Sequence, residues 1–164
     1  MIKKPLAILG ISPGSKYLGI SIFQGSDLSY WGIKVLKGVW SKEKIKKAKK
    51  ILSNLIDRHD VNVVAIKKLH PSRSSKNLNR FVTIIKEFSK EKRLKVCQYS
   101  LKDLKNFFSL GLKMNKRQMA ELIVTQYPFL EHQFEKEKRN KNPYFIRMFE
   151  AIALGTFCFH QLDH

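Results

Sequence analysis

Cysteine is nearly absent from this chain: Cys97 and Cys158 are the two among 164 residues. Two thiols exclude a disulfide framework, and a reduced, cytoplasmic protein is the expectation. Without a Cys-x-x-Cys pair, no zinc site is expected either. Acid is also short, with 13 Asp plus Glu. No apolar run reaches the ~18–20 residues of a membrane span, and no membrane partner is expected. Met1-Ile2-Lys3-Lys4-Pro5 lacks the apolar stretch and small-residue cleavage site of a signal peptide. There is no Walker-type loop. There is no internal repeat, and no linker long enough to divide the chain, so residues 1–164 read as a single domain.

What the chain has in excess is positive charge. Lys and Arg number 32, the net charge is +19 and the pI is about 10.1. Such an excess attracts polyanions, and nucleic acid is the expected partner. A soluble surface rich in lysine is the plainer alternative. Apolar residues make up 43%, enough for one real core.

Three strands open the chain, at residues 5–12, 16–24 and 28–37, joined by the short links Pro13-Gly14-Ser15 and Gly25-Ser26-Asp27. Gly14 in this reading supplies a positive φ for the first turn. Ser41 caps a helix whose Ile45, Ala48, Ile51, Leu52, Leu55 and Ile56 share a face; Lys42, Lys44, Lys46, Lys47, Lys49 and Lys50 mostly decorate the other. Val61–Ile66 is a nearly continuous apolar run that suits a buried parallel strand. A polar stretch, Ser72–Asn77, then leads to a helix with Leu78, Phe81, Val82, Ile85 and Phe88 on one side. Residues 94–99 form a fifth strand, and Ser100 with Asp103 three residues on caps a short helix. A helix over 115–127 stops at Pro128, residues 135–142 form a charged loop, and Pro143 opens a buried final helix of some 20 residues. The order β-β-β-α-β-α-β-α-α-α predicts an α/β protein. Its mixed sheet has five strands, three antiparallel followed by two parallel, flanked by helices.

The turn Gly10-Ile11-Ser12-Pro13-Gly14-Ser15 resembles the first motif of the RuvC-type Holliday junction resolvases, which have an RNase H-like fold. Val63-Val64-Ala65-Ile66-Lys67 is similar to a family strand that ends in Glu. Arg147-Met148-Phe149-Glu150-Ala151-Ile152-Ala153-Leu154 is similar to the family's last helix, and Asn115-Lys116 entering a helix that closes at Tyr127-Pro128 also looks family-like. In that family, acids from the first strand, the fourth strand and the last helix converge to hold divalent metal. Two Mg²⁺ ions need several carboxylate oxygens, and few other side chains replace them.

Carried over residue by residue, the family's acid positions fall on Ser12, Lys67, Arg147 and Glu150. One carboxylate remains, and two positions have reversed sign. Asp57, Asp60 and Asp103 lie where they need not converge. The expectation is therefore no metal, no confident catalytic residue, and an ion pair from Lys67, with Arg147, to Glu150. Ser12 as a nucleophile lacks an evident His. Phosphate contacts are expected from Lys16, Lys67, Lys68, Arg73, Lys76, Arg80, Lys113, Lys116 and Arg117, with His70 able to stack or touch phosphate. The resemblance implies a protein that binds branched or duplex DNA without metal-dependent cleavage. Two alternatives stand beside it. One is an active, Mg²⁺-dependent, structure-selective endonuclease with acids from unaligned positions; the other is a basic protein-interaction scaffold. The resembled enzymes are homodimers, so a homodimer is a further expectation.

Overall fold

The computed structural model describes residues 5–70, 74–110, 112–139 and 144–163. β1 (Ala7–Pro13), β2 (Tyr17–Gln24) and β3 (Asp27–Val35) form the antiparallel trio. After α1 (Lys42–Arg58), β4 (Val63–Lys68) runs parallel to β1; after α2 (Lys76–Glu91), β5 (Lys95–Ser100) runs parallel to β4. The sheet order is β3-β2-β1-β4-β5. Then come α3 (Leu101–Ser109), α4 (Lys116–Gln126), a 3₁₀ turn at Pro128–Leu130, α5 (Glu131–Arg139) and α6 (Ile146–Leu162). No helix among the described residues is long and apolar enough to cross a membrane.

Strand alternation divides the core into two layers. Leu9, Ile11, Val64 and Ile66 pack with Leu52, Leu55, Phe81 and Ile85 of α1 and α2. Ile8, Val63 and Ala65 pack on the opposite face with Met119, Ile123, Phe149, Ile152 and Ala153 of α4 and α6. The expected helices on both faces are therefore present. α6 is buried on nearly every side, from Met148 to Thr156.

Close approach of α6 to the sheet depends on glycine. A β-carbon on Gly10 of β1 would overlap the Ala151 carbonyl, and one on Gly19 of β2 would overlap the Arg147 carbonyl. Opposite Gly10 on β2, the Ser21 hydroxyl donates to the same Ala151 carbonyl at 2.6 Å. α6 thus lies almost on the backbones of β1 and β2, with its first turns over their strand ends.

Three sequence expectations need correction. Residues 135–139 are not loop but the second half of α5, whose buried apolar residue is Phe134. The expected loop's other residues, 140–142, and Pro143 lie outside the described residues. Second, Lys44 does not decorate the solvent face of α1. Its side chain is buried, and its Nζ donates to the carbonyls of Ser15 (2.6 Å) and Gly38 (2.9 Å), over the Trp40 ring. Third, Gly14 has no positive φ; the positive-φ glycines among the described residues are Gly25 and Gly38. Gly14 is needed for space, because a β-carbon there would stand 2.8 Å from the Tyr17 carbonyl oxygen and 3.1 Å from Arg147 Nε. Pro13 belongs to β1, opposite Leu18, so the turn occupies residues 14–16.

Candidate nucleic-acid interface

β1 and β4 are parallel neighbours, with Ile11 opposite Ile66. One residue further on, Ser12 and Lys67 share the strand face that looks at α6. α6 answers with Glu150, whose side chain is fully buried. The Lys67 ammonium donates to Glu150 Oε2 at 2.7 Å, and the Ser12 hydroxyl donates to Oε1 at 3.3 Å. Arg147, one turn earlier on α6, places Nη1 3.6 Å from Oε1, and Lys116, the first residue of α4, places Nζ 3.7 Å from Oε2. Lys116 was expected to contact phosphate; its nearness to Glu150 was not foreseen. The family-motif positions thus converge in space, and the expected pair of Lys67 with Glu150 is present.

The electrostatics follow from that geometry. Burial pushes the Glu150 carboxyl up, but Lys67, Lys116 and Arg147 together hold it below the usual carboxylate range. Burial lowers the Lys67 ammonium; Glu150 opposes this, while Lys116 and Arg147 add to it. One carboxylate faces three cations, a local excess of +2.

A divalent metal does not fit this donor set. Both oxygens of Glu150 already face cations, and Ser12 adds a neutral hydroxyl. Three cations within 4 Å of the single carboxylate would repel an incoming Mg²⁺. Among the described residues, no three His, Cys, Asp or Glu side chains group together. Asp57 and Asp60 line a separate cleft of about 610 Å³ at the opposite end of the parallel strands. Asp103 is occupied in the capping box, its carboxylate accepting from Ser100 N at 2.9 Å. One His pair does stand four residues apart, His160 and His164. His160 packs on the Phe107 ring at 5.1 Å, and His164 lies outside the described residues.

Above the Glu150 cluster opens a cleft of about 900 Å³ at the C-terminal ends of β4 and β5. Crossover sheets put their binding crevices at such strand ends. Of the expected phosphate-contacting residues, Lys67, Lys68, Lys113 and Lys116 line it, joined by Arg147 and His70. Lys16, Lys76, Arg80 and Arg117 are exposed but are not in its lining. Arg73 lies outside the described residues. Lys102 and Lys105 also line the cleft and were missed. Their signal was available: they follow Ser100, the cap that ends β5, so a parallel β4–β5 pair brings α3 to the same crevice. Asp103 is the only carboxylate in the lining among the described residues, and seven cations make the cleft strongly positive.

No curated protein matches the chain by sequence. The family model described as crossover junction endodeoxyribonuclease RuvC matches residues 8–135. Among solved structures, Thermus thermophilus RuvC in complex with Holliday junction substrate is similar. Its TM-score is 0.70 at 15% identity, covering 95% of this chain and 94% of that one. The Fowlpox virus resolvase, solved with substrate Holliday junction DNA, has a TM-score of 0.62 at 16% identity, covering 97% of this chain and 100% of that one. The architecture is thus the RNase H-like one of these resolvases.

Proposed function

This chain belongs to the RuvC family, and from that premise we propose that it binds branched DNA in the cleft at the ends of β4 and β5 and does not hydrolyse it. The observation that carries the reading is the Glu150 cluster: three cations and a hydroxyl gather round the one carboxylate where the resembled enzymes gather acids. With no set of carboxylates grouped among the described residues, nothing there would hold the metal ions that activate water and steady a leaving oxygen. It retains, and strengthens, the means to hold phosphate.

The grip has two parts. Lys67 is committed to Glu150 at hydrogen-bonding distance, while Lys116 and Arg147 stand at 3.7 and 3.6 Å and keep donors for an anion. A DNA phosphate over these two would accept charge-assisted hydrogen bonds from both. Around it Lys68, Lys102, Lys105 and Lys113 follow the backbone. The solved neighbours named above hold Holliday junction DNA, which favours a branched over a linear ligand. Two free thiols suit a reducing compartment such as the cytoplasm.

The test is a pair of gels with labelled four-way junction and matched linear duplex, run in Mg²⁺ and in Mn²⁺. The expected result is a retarded junction band on the native gel, weaker for linear duplex, with every strand intact on the denaturing gel. Metal-dependent nicking that Glu150→Gln abolishes would overturn the reading and establish an active nuclease. Equal, weak retention of both DNAs would favour the scaffold alternative.

A further inference from the structure

The connection between α3 and α4 has features that cleft charge does not explain. Leu110 ends α3 in the left-handed region, at φ 54° and ψ 37°, where a β-carbon is disfavoured and helices normally place Gly or Asn. Its side chain is 91% exposed, and Leu112, two residues on, is 77% exposed. The other positive-φ residues that are not glycine, among those described, are Asp60 and Arg93, both polar and exposed. Leu110 differs: it is strained in backbone and solvated in side chain, so it returns nothing to the stability of the isolated chain.

Leu112 lies in the lining of the basic cleft, beside Lys113 and Met114. The occupant of that lip must therefore be strongly anionic outside and apolar within. Nucleic acid has that combination: phosphates on the surface, stacked bases inside. Apolar side chains entering base steps are a known device for kinking DNA, and unstacking is least costly where pairing is already interrupted. We propose that Leu110 and Leu112 form an apolar wedge that enters an opened base step of branched DNA held in the cleft. The wedge rests on the DNA-binding reading above and adds to it the means by which a branch is told from a continuous duplex.

The experiment uses four-way junctions carrying 2-aminopurine at the branch point, titrated with the full chain, with Leu110→Asn and with Leu110→Asn/Leu112→Ser. Wild-type protein is expected to raise the fluorescence as the base unstacks. The double variant should lose more affinity for the junction than for linear duplex, by about tenfold, the equivalent of about 1.4 kcal/mol, and leave the fluorescence flat. Leu110→Asn should also melt at a higher temperature than wild type, because Asn tolerates the left-handed backbone. A fluorescence rise preserved in the double variant overturns the wedge while leaving DNA binding intact. Wild-type protein that retards no DNA overturns the parent reading instead. Loss of a dimer, or of binding to anionic phospholipid vesicles, in the double variant with the junction affinity unchanged assigns the two leucines to another occupant and also overturns the wedge.

Discussion

Glu150 sets the chemistry of the site at the scale of single residues. A fully buried carboxylate is tolerable only with partners, and Lys67 at 2.7 Å is the main one. Lys67→Met should therefore lower stability by about 3 kcal/mol in urea unfolding, since it removes the cation hydrogen-bonded to a buried carboxylate and leaves Lys116 and Arg147 at 3.7 and 3.6 Å. Adding Glu150→Leu should recover most of that loss, and a double-mutant cycle should show the coupling. The acid limb has a defined sign. The folded carboxyl lies below its ordinary value of 4.5, so its stabilisation is complete above that value and is lost as pH falls through the depressed one. The melting-temperature gap between wild type and Glu150→Gln should thus be widest near neutrality and close as pH drops below 4.5. At this scale the sequence was legible where a motif fixed the position, as for Ser12, Lys67 and Glu150. It was not legible for Lys44, whose burial depends on the carbonyls of Ser15 and Gly38 coming together over Trp40. Nothing local distinguishes Lys44 from the lysines around it.

Among the elements, α6 is the one on which the site depends. It brings Arg147 and Glu150 over the strand ends because Gly10 and Gly19 leave room for its backbone. Gly19→Ala would drive a methyl into the Arg147 carbonyl, with β2 and α6 both held by neighbours. It should cost about 3 kcal/mol in chemical denaturation and weaken junction binding by displacing Arg147. The strands and most helices were legible because their apolar periods are clear. α5 was not, because Glu131–Arg139 buries one apolar side chain, Phe134, and otherwise consists of polar residues. Its helix rests on the propensity of Glu, Gln, Lys and Arg and on ties such as Lys138 to Glu135 at 3.3 Å. That helix has a use beyond packing: the Glu137 carboxylate accepts from Phe145 N at 2.7 Å, at the N-cap position of α6. A segment read from composition as a loop thus anchors the start of the helix that carries the site.

The whole molecule carries a net charge of +19, and its distribution decides what that charge does. Six cations besides Lys67 line one cleft. If each neutralises one phosphate, log Kobs for duplex DNA against log salt should have a slope of about −5. Lys102→Ala or Lys113→Ala should make it shallower by about 1 each, measured by fluorescence anisotropy from low to physiological salt. Charge alone predicted a polyanionic partner; it could not say which of the 32 cations share a surface. That required the β4–β5 pairing, which sets α3 beside the end of β4.

The Glu150 cluster also bears on descent. Its members compensate one another, so a change at one is answered by the rest. Changing only Ser12 to Asp would supply a carboxylate that Lys67 can engage; changing only Lys67 to Glu would leave Lys116 and Arg147 over both acids. Neither step yields a metal site, so neither offers natural selection an intermediate worth keeping. On the non-cleaving reading proposed above, the constellation is therefore left by several substitutions together or not at all.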